Sequence, residues 1–97
     1  MERHELPYKK VIFVCTNQRE PGERPCCAGR GGNALRDQLK DMVKERQLQG
    51  RIRVSQSGCL NCCADGPNIM VFPDGVWYSH AQPEDLETIL NAVVASL

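Results

Sequence analysis

Two rhythms of apolar residues run along this chain. Val11-Ile12-Phe13-Val14 is an unbroken run of β-forming residues, with Cys15 directly behind it. Such a run predicts a strand buried on both faces. From residue 35 the period changes. Leu35, Leu39, Met42 and Val43 recur at helical spacing with Leu48 trailing, while Arg36, Asp37, Lys40, Asp41, Lys44 and Glu45 fill the other side. Gly32 or Asn33 suits the N-cap, and Gly50 is expected to stop the helix. Arg51-Ile52-Arg53-Val54-Ser55 alternates polar with apolar, the pattern of a half-exposed strand. Ile69-Met70-Val71-Phe72 predicts another buried strand. Pro73-Asp74-Gly75 predicts a hairpin turn, and Val76-Trp77-Tyr78 the returning strand, with Trp77 and Tyr78 on opposite faces. Pro83 suits the first position of a last helix striped by Leu86, Ile89, Leu90, Val93, Val94 and Leu97.

The order is strand, helix, strand, strand, strand, helix. A strand–helix–strand unit makes the first two strands parallel through a right-handed crossover. The hairpin then adds two antiparallel strands. The compact arrangement is an α/β fold with a four-stranded mixed sheet in the thioredoxin-like order 2-1-3-4, with both helices on one face. Only residues 56–67 are left to cover the other face, where a thioredoxin-like domain normally places a helix. The 97 residues are expected to form one domain, 1–97.

Apolar residues at 41% and charged residues at 25% are ordinary for a water-soluble globule. No apolar run approaches the roughly 18–20 residues that cross a bilayer. Met1–Pro7 lacks the apolar core of a secretory signal. A cytoplasmic location is therefore expected, with no membrane attachment. Residues 1–53 hold all twelve Lys and Arg with seven acids, a balance of +5, and residues 54–97 hold five acids and no Lys or Arg. Either folding interleaves these halves, or the surface is polarised and orients a partner. The basic half carries too much acid for a nucleic-acid binder, and Arg30-Gly31-Gly32 reads as a tight turn rather than an RNA-binding tract.

Cysteine changes the picture. Six in 97 residues, with no secretory signal, point to metal or redox chemistry rather than a disulfide framework. Cys15 ends the first strand, and Cys59 lies just beyond the second, its parallel neighbour. Cys26 and Cys27 belong to the long loop of residues 16–32, and Cys62 and Cys63 precede the third strand. All six thiols are thus expected at one pole of the sheet, where open α/β sheets place ligands. Three chemistries suit them: an iron–sulfur cluster, a tetrahedral zinc site serving a structural interaction module, or a redox-active disulfide of a thiol–disulfide oxidoreductase using Cys26/Cys27 or Cys59/Cys62. Zinc knuckles favour short-spaced pairs, which the first half lacks. A thioredoxin-type Cys-x-x-Cys would stand at the start of the first helix, where Cys26 and Cys27 are adjacent instead. A tetrathiolate cluster is anionic, and Arg19, Arg24, Arg30 and the first helix's N-terminus favour such a centre. Gly29, Gly31, Gly32, Gly58 and Gly66 let backbone N–H groups approach its sulfurs.

Four stretches together carry a family resemblance: Val11–Asn17; Arg24-Pro25-Cys26-Cys27-Ala28-Gly29-Arg30-Gly31; Gly58-Cys59-Leu60-Asn61-Cys62-Cys63-Ala64-Asp65-Gly66-Pro67; and Phe72–Tyr78. They resemble the thioredoxin-like 2Fe–2S ferredoxin family over nearly the whole chain. The resemblance implies Cys15, Cys27, Cys59 and Cys63 as ligands of a 2Fe–2S cluster. It also implies a homodimer and a one-electron carrier between donor and acceptor redox enzymes, with no catalysis of its own. Cys26 and Cys62 depart from the pattern, each one residue before an implied ligand. Ala28-Gly29-Arg30-Gly31 after Cys27, and the Cys-x-x-x-Cys spacing from Cys59, favour Cys27 and Cys63. Pro67 occupies the place where thioredoxin folds keep a cis-proline. His4 and His80 are not expected to be ligands.

Overall fold

The computed structural model describes residues 1–15, 32–57 and 67–97. The elements are β1 (Lys10–Cys15), α1 (Gly32–Glu45), β2 (Ile52–Ser57), β3 (Ile69–Phe72), β4 (Val76–Tyr78), a 3-10 turn (Pro83–Asp85) and α2 (Leu86–Ala95). The strands form one sheet in the order β2-β1-β3-β4. β1 and β2 are parallel, while β1–β3 and β3–β4 are antiparallel. This is the expected mixed sheet.

The core sits on one face. Register and alternation put Ile12, Val14, Ile52, Val54, Ile69 and Val71 on the same side of the sheet. Each is at least 95% buried, and they form one cluster with Leu35, Leu39 and Val43 of α1 and Leu86, Ile89, Leu90 and Val93 of α2. Both helices therefore cover that face. Each such side chain contributes about 1.5–3 kcal/mol of transfer free energy, enough in sum to fix which face is inside.

The opposite face departs from expectation. β1 is not buried on both sides: Val11 and Phe13 are only half-buried. With both helices on the other face, no described element lies across Val11, Phe13, Met70, Phe72 and Trp77. Phe13 and Phe72 meet edge to face, with ring centroids 5.6 Å apart, and Phe72 and Trp77 are each 46% exposed. Tyr78, on the other side of β4, packs against the core as expected.

Gly50 does not stop α1. The helix ends at Glu45, and Gln47 turns the chain with φ 56°. Gln47 N–H donates to Lys44 O at 3.0 Å, and Leu48 N–H donates to Val43 O at 3.0 Å. This is a Schellman cap, in which Leu48 and Val43 are both buried and supply its apolar contact. β2 continues to Ser57 because its ladder with β1 runs through Cys15↔Ser57. Pro73–Gly75 makes the expected turn, with Gly75 at φ 74° and its N–H donating to Val71 O at 2.9 Å. Leu97 falls off the α2 stripe because the helix ends at Ala95, and it is exposed. The Phe72–Pro73 peptide is cis, and the Gly66–Pro67 bond lies outside the described residues.

Candidate functional site

Four chain ends meet at one pole of the sheet. β1 ends at Cys15, whose ladder partner on the parallel β2 is that strand's last residue, Ser57. β3 runs the opposite way and starts there, with Ile69 opposite Val14. Because α1 links two parallel strands, it runs back along them and starts at the same pole with Gly32. Residues 16–31 leave and re-enter between Cys15 and Gly32. Residues 58–66 do so between Ser57 and Pro67.

Among the expected ligands, Cys15 lies within the described structure. Cys27, Cys59 and Cys63, like Cys26 and Cys62, lie outside the described residues. Cys15 is fully buried. Its main-chain N–H donates to Asn68 O at 3.1 Å, which extends the β1–β3 ladder by one residue. Strand alternation puts Cys15 with Phe13 on the open face. Among the described residues no three His, Cys, Asp or Glu come together. A metal centre that uses Cys15 must therefore draw its other ligands from residues 16–31 and 58–66, which hold five of the six cysteines. A thiolate donor at a water-excluded strand end, with further thiols in the two segments that start and finish beside it, fits an iron–sulfur group.

Sequence reasoning missed Asn68. It is fully buried, and its side-chain Oδ1 accepts a hydrogen bond from Trp77 Nε1 at 2.9 Å. An indole N–H only donates, so the amide atom facing it is the oxygen. Next to it, Pro67 O accepts from Ala81 N–H at 3.1 Å. The available signal was a polar residue directly ahead of a buried strand, where only a paired amide is tolerated.

The pole has a definite polarity. The first turn of α1 carries no acidic side chain, so its positive dipole end is not neutralised there. Glu84, Asp85 and Glu87 crowd the start of α2. Exposed His80, with φ 51°, lies just after β4 at the same end. The groove lined by Lys40, Val43, Lys44, Ile52 and Arg53 lies toward the other pole and has no part in this site.

Known proteins share this architecture and sequence. The family described as Thioredoxin-like [2Fe-2S] ferredoxin matches residues 6–94. A protein named "Ferredoxin, 2Fe-2S" from Aquifex aeolicus is 36% identical over 84 residues, covering 84% of this chain and 76% of its own length. One of the same name from Clostridium pasteurianum is 31% identical over 85 residues, covering 87% and 83%. The crystal structure of the wild-type thioredoxin-like [2Fe-2S] ferredoxin from Aquifex aeolicus superposes with a TM-score of 0.82 at 35% identity, covering 87% of this chain and 84% of that one. With the family match spanning residues 6–94 and both fold and sequence shared across most of its length, this chain belongs to the thioredoxin-like [2Fe-2S] ferredoxin family.

Proposed function

We propose that this protein carries single electrons between larger redox proteins on a [2Fe–2S] cluster held by Cys15, Cys27, Cys59 and Cys63, and that it acts as a cytoplasmic homodimer. As a ferredoxin it is an electron carrier and not an enzyme, and its cofactor is a [2Fe–2S] cluster. The observation that carries the ligand reading is the meeting of four chain ends around a buried Cys15. No described helix is long and apolar enough to cross a membrane.

When bound, the cluster supplies a one-electron couple. The chain's own residues do the rest. The main chain of Cys15 is fixed by the β1–β3 ladder, so one donor is positioned before any metal arrives. The unneutralised start of α1 offsets negative charge at the pole, and Arg19, Arg24 and Arg30 outnumber Glu20 and Glu23 by one in the segment that enters it. Cys15 is itself fully buried, so water does not reach this donor. A second copy of the chain covers the open sheet face, where Val11, Phe13, Met70, Phe72 and Trp77 lie together.

Anaerobic purification followed by metal and acid-labile sulfide analysis tests the reading. The expected result is a red-brown protein with about two irons and two sulfides per chain and a paramagnetic signal on reduction. One zinc per chain without sulfide, or a colourless protein whose thiols cycle with a disulfide, would refute it.

A further inference from the structure

Among the described residues, three parts of the fold donate hydrogen bonds to Pro67 and Asn68. Ala81 N–H, beyond the end of β4, donates to Pro67 O at 3.1 Å, and Cys15 N–H, at the end of β1, donates to Asn68 O at 3.1 Å. Trp77 Nε1, on β4, donates to Asn68 Oδ1 at 2.9 Å. The first two bonds use main-chain oxygens and are open to any residue type. The third requires an acceptor side chain at position 68 and an indole at position 77.

The position of this pair gives the third bond its meaning. Residues 67 and 68 are where the segment carrying Cys59 and Cys63 returns to the sheet, and Asn68 is also the ladder partner of Cys15. One dipeptide therefore joins the strand that bears one proposed ligand to the segment that bears two others. We propose that Asn68 is a positioning residue for the cluster: its Trp77-anchored amide sets the spacing between Cys15 and the return of the Cys59–Cys63 segment. This rests on the ligand reading given above.

The energetics favour this role over simple filling of space. A fully buried amide without partners costs more than an apolar side chain of similar size, so Asn is retained at such a position only if its bonds are made. Trp77 is nearly half exposed and takes little part in the core, so its indole N–H reaches a buried oxygen from the rim of the sheet. A neutral hydrogen bond of this kind is a small part of overall stability. It matters more where it fixes the distance between donors of one rigid group, because thiolates displaced by a fraction of an ångström change the cluster's electronic structure.

The test uses the cluster-loaded protein and the variants Asn68→Ala, Trp77→Phe and the double variant. Trp77→Phe keeps an aromatic ring on the open face while removing the N–H donor, and the volume it loses is at a half-exposed position, so it folds even if the cavity left by Asn68→Ala does not permit folding. The readouts are the paramagnetic g-values of the reduced protein, its midpoint potential, and the rate of cluster loss to a chelator. We expect Trp77→Phe to shift the g-values and the potential, and to speed cluster loss about fivefold, the value of one neutral hydrogen bond. Where Asn68→Ala folds, the double variant should be no worse than Asn68→Ala alone. Wild-type g-values, potential and loss rate in Trp77→Phe would overturn the proposal. So would a double variant showing the sum of two independent effects. A parallel Cys15→Ser protein separates the two layers: an unchanged spectrum there removes Cys15 from the ligand set, whatever the Asn68 and Trp77 variants show.

Discussion

Six thiols are the most informative residues in this chain, and two of them are redundant for a four-thiolate site. Cys15 and Cys59 have no neighbouring thiol, so serine at either should give a severe loss of cluster or a shifted visible spectrum, because hard oxygen is a poorer ligand for cluster iron. Cys27→Ser and Cys63→Ser should be milder, since Cys26 or Cys62 lies one residue away and can take the place by a loop shift. Cys26→Ser and Cys62→Ser alone should leave the visible and paramagnetic spectra of the wild type. A cluster perturbed by Cys26→Ser and untouched by Cys27→Ser would move the ligand register by one residue. A second residue-scale interaction was invisible in the sequence. Lys10 and Asp74 are 64 positions apart, yet the Lys10 ammonium, almost wholly buried, donates to the Asp74 carboxylate. Ser96 Oγ donates to the same carboxylate at 3.3 Å. The hydrogen bond from Lys10 first, and its positive charge with it, hold the Asp74 carboxyl below its ordinary value of 3.8. A carboxyl lowered on folding stabilises the native state above its unfolded pKa and loses that contribution as pH falls through the folded one. Asp74→Asn should therefore unfold more readily than wild type in urea at pH 7, and the gap should narrow only below about pH 4. A gap that stayed constant down to pH 3 would show that the ion pair contributes nothing.

At the level of elements, type and order were legible because each apolar run has a period that only one structure satisfies. Ile69–Phe72 is bounded by a turn and too short for a helix, and Leu35, Leu39 and Val43 share one helical stripe. Burial was less legible. Four consecutive apolar residues read as a doubly covered strand, but the run cannot say whether a second layer exists, and here Val11 and Phe13 face a side that no described element covers. Helix ends were read from glycine, and the fold used Gln47 instead. A left-handed backbone at a non-glycine residue costs about 1–2 kcal/mol. The Schellman bonds and the Leu48–Val43 burial outweigh that cost. Gln47→Gly should remove the strain without touching the core, and should raise stability by about 1 kcal/mol, or ~4–8 °C in Tm. An unchanged or lowered Tm would mean that the side chain of Gln47 supports the cap in some other way.

For the whole molecule, folding interleaves part of the charge split read from the sequence, since Lys10 of the basic half pairs with Asp74 of the acidic half. α1 and β2 lie at one edge of the sheet, and within α1 Arg36, Lys40 and Lys44 are balanced by Asp37, Asp41 and Glu45. α2 packs beside β3 and β4 toward the other, where Asp74, Glu84, Asp85 and Glu87 stand without any Lys or Arg on the described residues from 67 onward. Glu84, Asp85 and Glu87 at the start of α2 thus give the cysteine-bearing pole a negative flank on the side of β4. The open face has a different character. Val11, Phe13 and Met70 are half-buried, Phe72 and Trp77 are each 46% exposed, and Phe13 and Phe72 pack edge to face across adjacent strands. An apolar sheet face of this kind needs a second layer, and a second copy of the chain offers a self-complementary one about a two-fold axis. Sedimentation equilibrium at micromolar concentration should give twice the chain mass. Phe72→Lys, at an already exposed position, should give monomers that keep the cluster spectrum. The emission of Trp77, the chain's single tryptophan, should shift to longer wavelength in that variant as the indole meets water. Wild-type protein that sediments only as a monomer would leave the face to a different partner. A Phe72→Lys protein that remains dimeric would place the two-fold contact elsewhere on the surface.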